Sequence, residues 1–201
     1  MKKQPTREKL LDSTFGEVYR NGYQGASIAE ILQKAGVPKG SMYHHFGSKQ
    51  AMVLSMIEER LIPKVRVFFD FEMRPGSTAM GILEYTMKKI THNALLLQHG
   101  CPLHRLMFEM EGLDREIAKA CEAEFDYLTD ALARVLAFGM RAGSIIEADP
   151  KELAGYIIAS TWGFLSRPIQ HSSMEQFLQD SGRLLDSIRM ADNGGGSCST
   201  T

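Results

Sequence analysis

Twenty consecutive residues, ILQKAGVPKGSMYHHFGSKQ from Ile31 to Gln50, gather side chains that could do chemistry outside the protein. Lys39 and Lys49 are cations, Ser41 and Tyr43 carry hydroxyls, and His44 and His45 carry imidazoles. None of these types at this spacing makes a nucleophile–base pair or a metal cage. Together they can pair with phosphate and hydrogen-bond the polar edge of a ligand. Gly36, Gly40 and Gly47 interrupt the stretch, which a helix serving only a core would not need.

The elements that must hold these residues are short helices. Ser27 and Glu30 form a capping box at the start of one, whose inner face is Ile28, Ile31, Leu32 and Ala35. Gly36 suits the left-handed residue that ends it, Val37 plugs the turn, and Pro38 presets the entry to the next. Met42 and Phe46, four apart, mark the inner face of that next helix, which turns Tyr43 and His44 outward. Gly40 and Ser41 keep its first turn slim, and Lys39 adds charge there. This is a helix-turn-helix of the kind that enters a DNA major groove N-terminus first. Lys49 opens the following helix and is expected to reach a flanking phosphate.

Charge agrees with this placement. Residues 1–50 hold eight Lys and Arg against four acids, a net +4 within a chain of net −1. The polyanion-facing surface is therefore expected in the first quarter.

Helical periodicity runs through the rest. Leu11, Phe15 and Val18 predict a first helix from Thr6, as N-cap, to Asn21, stopped by Gly22. Ser48 caps a fourth helix expected to run past Phe71. Further helices are expected over 78–98, 102–112, 114–141, 150–165 and 173–190. The Gly- and Ser-rich end, 192–201, reads as a disordered tail. No apolar run is long enough to span a membrane, and the start lacks the apolar segment of a secretory signal. Cys101, Cys121 and Cys198 lie far apart without a CxxC, so a zinc site or disulfide framework is not expected. A reduced, cytoplasmic protein is the reading.

The segment GASIAEILQKAGVPKGSMYHHFGSK resembles the DNA-binding signature of the tetracycline-repressor (TetR) family of bacterial transcriptional regulators. Ser27, Ile31, Ala35, Gly36, Val37, Lys39, Gly40, Ser41, Tyr43, Phe46 and Lys49 occupy matching places. Pro38 departs from it, standing where Ser or Thr is common. The resemblance covers about the first quarter and implies an all-α homodimer. Residues 1–48 would be a three-helix DNA-binding domain with a helix-turn-helix. Residues 49–191 would be a helical effector-binding and dimerisation domain, pairing through about 150–165 and 173–190. Implied partners are a double-stranded, palindromic DNA operator, a second copy of the chain and a small-molecule effector of unknown identity. No cofactor or metal is implied. The candidate DNA contacts are Ser27, Lys39, Gly40, Ser41, Tyr43, His44, His45 and Lys49.

HGCPLHRLMFEMEGLDREI resembles the Gly-Cys motif of the family's NemR-type subset, part of which responds to electrophiles through cysteine. At a helix start, Cys101 would feel positive dipole and unpaired amides, which favour thiolate; burial would act oppositely. An oxidant- or electrophile-sensing regulator and a packed thiol therefore both stand. A helical enzyme or adaptor is the rival from another class. His92, His99, His104 and His171 show no HExxH or Cys-His metal spacing, and His104 to Glu109 is i, i+5. Twelve methionines, among them Met80, Met87, Met107, Met110 and Met140, suit a pliable apolar interior.

Overall fold

The computed structural model describes residues 5–69, 71, 73–166 and 173–190. The tail 192–201, Cys198 and His171 lie outside the described residues. Among the described residues every regular element is a helix, apart from an isolated bridge between Ile145 and Arg189, so the all-α expectation holds.

The N-terminal helices are α1 (Thr6–Gly25), α2 (Ile28–Ala35), α3 (Lys39–Phe46) and α4 (Lys49–Met56). Pro5, not Thr6, holds the cap position of α1. The expected stop at Gly22 is real: its φ of 75° and ψ of 177° kink the helix, and one further turn follows. Leu10, Leu11, Ile31, Met42 and Met52 are fully buried where these helices meet. The same apolar cluster continues through Leu103, Leu106 and Met110 to Ile117. The packing therefore crosses residue 48 without a gap.

After Met56 the rod continues through a π-helical segment, Ile57–Leu61, into α5 (Ile62–Phe68). Pro63 explains the wider turn. It has no N–H to give the carbonyl of Glu59, so the chain shifts register and Ile62 N–H bonds back to Ile57 O. The Arg60 guanidinium donates to the Glu59 carbonyl at 3.0 Å. The rod ends at Phe68, short of the expected passage beyond Phe71.

The remaining helices are α6 (Ala79–Thr91), α7 (Ala94–His99), α8 (Pro102–Met110), α9 (Arg115–Arg141), α10 (Pro150–Leu165) and α11 (Met174–Ile188). The single helix expected over 78–98 is two, because the Asn93 side chain accepts the Leu96 N–H at 3.2 Å and starts α7 afresh. Asp114 and Asp149 cap α9 and α10 through their carboxylates. A second apolar cluster, with Leu83, Ile90, Val135, Leu136, Ile157 and Leu184, joins α6, α9, α10 and α11.

Candidate nucleic-acid interface

Ser27 caps α2, its hydroxyl accepting the Glu30 N–H at 3.1 Å. Gly36 ends α2 at φ 64°, and Val37 N–H returns to Leu32 O at 3.2 Å, closing a Schellman turn. Pro38 then leads into α3 with extended backbone and no side-chain cap. The first amides of α3 thus lack a capping side chain and, with the helix dipole, suit an anion.

Only Met42 of α3 is buried. Lys39, Gly40, Tyr43, His44 and His45 are exposed, Ser41 and Phe46 half-buried. Tyr43 is 50% exposed, a large aromatic left in water on a short helix. The rings of His44 and His45 meet edge-on with centroids 5.2 Å apart. Lys39 has no ion-pair partner among the described residues. Gly40 is the most telling residue. A β-carbon there would meet nothing within 4 Å, so neither packing nor a positive φ requires glycine inside this helix. The surface at Gly40 is therefore open to close approach from outside.

Lys49, expected to reach a flanking phosphate, also has an internal partner. Its ammonium donates to the Tyr23 carbonyl at 2.6 Å and lies over the Tyr23 ring, 4.5 Å from the centroid. Burial pushes its pKa down, opposed by the nearby Glu109 carboxylate. That bond holds α4 to the end of α1. Other charged groups are paired as well. Arg7 pairs with Glu59 through two bonds, at 2.5 and 2.7 Å. Lys34 pairs with the buried carboxylate of Glu17, and Arg60 reaches Glu8 and Asp12.

Behind the interface, α1 is stapled to α8. Glu109 accepts the N–H groups of Tyr23 and Gln24, each at 2.7 Å, through its two carboxylate oxygens. Arg105 donates to the carbonyls of Tyr19 and His99, and the Tyr19 hydroxyl donates to Gly100 O at 3.0 Å. Burial pushes the Tyr19 phenol well up, so it remains a donor. Composition hid this staple: a lone glutamate at Glu109 carries no motif.

At the other end of α8, Trp162 of α10 stacks on His104, centroids 4.2 Å apart. Burial pushes the pKa of the His104 imidazole down. Trp162 also lines an apolar cavity between α6, α9, α10 and the segment that follows α5. Cys101 does hold the N-cap position of α8 with Pro102 behind it. Of the two readings left open for Cys101, the packed thiol is the favoured one. Burial pushes the thiol up, outweighing the pull of the His104 and Leu103 amides and the Trp162 indole. Cys121, also buried, is pushed up to about 12. Both sulfurs are inside, as packed thiols are.

Residues 10–56 match the family model described as "Bacterial regulatory proteins, tetR family". The chain is a DNA-binding transcriptional regulator with a tetR-family DNA-binding domain. Among its relatives, the HTH-type transcriptional repressor DhaR of Mycobacterium sp. (strain GP1) is 25% identical over 173 residues, 83% of this chain and 84% of DhaR. The HTH-type transcriptional repressor NemR of Escherichia coli (strain K12) is 43% identical over 53 residues, 26% of this chain and 27% of NemR. The crystal structure of reduced NemR matches with a TM-score of 0.80 at 21% identity, covering 93% of this chain and 98% of that one. A TetR-family regulator from Agrobacterium tumefaciens matches with a TM-score of 0.80 at 22% identity, covering 92% and 97%. These two show a shared fold. The likeness to NemR is partial and does not bring the Gly100-Cys101 motif with it. No described helix is long and apolar enough to cross a membrane.

Proposed function

We propose that the regulator works in the cytoplasm as a homodimeric repressor on a palindromic operator, and that a small molecule in the cavity between α6, α9 and α10 releases it. In this reading residues 1–48 bind DNA, and 49–191 dimerise and bind effector. The observation that carries it is the outward face of α3, with Gly40 slim for no internal reason and Lys39, Tyr43, His44 and His45 exposed. Ser41 stands at the base of that face, while Ser27 serves as a cap from which its exposed position still reaches outward. The names of DhaR and NemR as transcriptional repressors support repression.

Dimerisation is supported by α10 and α11. Gly155, Gly163 and Gly182 face open space, where a second helix can approach closely, and Tyr156 and Leu178 are exposed beside them. Release is supported by continuity. Trp162 touches both the cavity and α8, and α8 holds the end of α1 through Arg105 and Glu109.

Sequencing DNA fragments selected by the purified protein tests this. The expected result is one motif of two inverted half-sites with centres about one helical turn apart. Enrichment of no motif would overturn the reading.

A further inference from the structure

The lining of the cavity between α6, α9, α10 and the segment after α5 limits what it can hold. Phe69, Phe71 and Trp162 supply flat aromatic walls, Met87 an adaptable thioether, and the rest are Leu and Ile side chains with two threonines. Neither threonine offers a donor: Thr86 donates to Ile82 O at 2.9 Å and Thr161 to Ile157 O at 2.8 Å. Almost none of the surface facing the cavity is polar, so the threonines present their methyl groups. No charged residue lines it. The indole N–H of Trp162 is turned to Cys101 Sγ.

Resting on the proposed function of this site, we infer that the effector is an uncharged, hydrocarbon-rich aromatic molecule, held by shape and burial and not by hydrogen bonds or ion pairs. An ionised group inside would lose its water and find neither counter-charge nor free donor, a cost of several kcal/mol. A flat apolar molecule meets faces suited to stacking. Apolar cavities of this kind stay dry and take up small hydrocarbons.

Three probes of one shape test the class: naphthalene, 2-naphthoate and 2-naphthylmethylammonium, titrated calorimetrically into the full chain. Naphthalene should bind, and both ions should bind at least about 100-fold more weakly, following the desolvation cost. Half-buried Ile158 lines the cavity, so Ile158→Glu places a carboxylate there without emptying the core. It should abolish the preference for naphthalene and admit the ammonium. Thr161→Val, should the glutamate variant not fold, is expected to keep naphthalene affinity within about threefold, since the hydroxyl already has its partner.

Either ion binding the parent chain as tightly as naphthalene would overturn the inference. So would no naphthalene binding, or a tenfold loss in Thr161→Val. A gel shift on the selected operator separates the two readings. Binding without release leaves the ligand class standing and removes the release mechanism. Failure to select any operator removes the regulator reading, while calorimetry still judges the cavity.

Discussion

Lys39 and Lys49 are ten residues apart, both on the first turn of a short helix, and they do opposite things. Lys39 stands at the open end of α3 with no acid beside it. Lys49 turns inward, donates to the Tyr23 carbonyl and covers its ring. The same split separates the whole outward face of α3 from the α1–α8 junction. On α3, glycine and polar groups have no internal reason to be there. At the junction, Glu109, Arg105, Tyr19 and Lys49 each have a named internal partner. A polar residue is assigned to contact or to architecture by whether the fold already employs it, not by its type.

The strongest way to break the junction is Gly22→Ala. The φ and ψ of Gly22 fall in a region nearly restricted to glycine, and a β-carbon there would come within 2.6 Å of Glu109 Oε2. Strain and the displaced carboxylate together should cost about 3 kcal/mol or more. Urea denaturation would show this as a lower midpoint with unchanged slope; a loss below about 1 kcal/mol would mean that the staple is weak.

A middle-sized effect sharpens the lysine contrast. Lys49→Ala should cost about 1–2 kcal/mol of stability by removing a charged hydrogen bond, and leave the salt dependence of operator binding unchanged. Lys39→Ala should leave stability within about 0.5 kcal/mol and lower the salt slope by about one unit. Measuring both quantities for both variants decides it, and a reversed pattern would return Lys49 to the DNA face.

The smallest effect has opposite signs in two assays. Gly40→Ala should stabilise the fold by up to about 1 kcal/mol, because the site is helical, open and free of positive φ. The same methyl should weaken operator binding by crowding the groove. A gel shift showing unchanged affinity would mean that α3 does not approach the DNA at Gly40.

Much of this was legible in the sequence. Ser27, Gly36 and Pro38 specify the turn by local chemistry alone, and the Met42–Phe46 spacing orients α3. Asp114 and Asp149 likewise announce their helices. What sequence did not disclose depends on distant partners. The break at Asn93 is hidden because apolar periodicity continues across it. The inward turn of Lys49 depends on Tyr23, and the fate of Cys101 on how completely α10 covers it. Helix-end position and burial push a thiol in opposite directions, and only the packed structure weighs them.

The apolar cluster that runs across residue 48 bears on how such regulators can be recombined. A head cut from this chain at Phe46 or Gly47 and grafted onto another body would leave behind Met52, Val53, Leu106 and Met110, which close its underside. It would also lose Glu109, the acceptor for two of its amides. If α3 reads the operator as proposed, a new specificity is portable as a surface, by exchanging the outward residues of α3, but not as a cassette. A grafted head needs α8 with it.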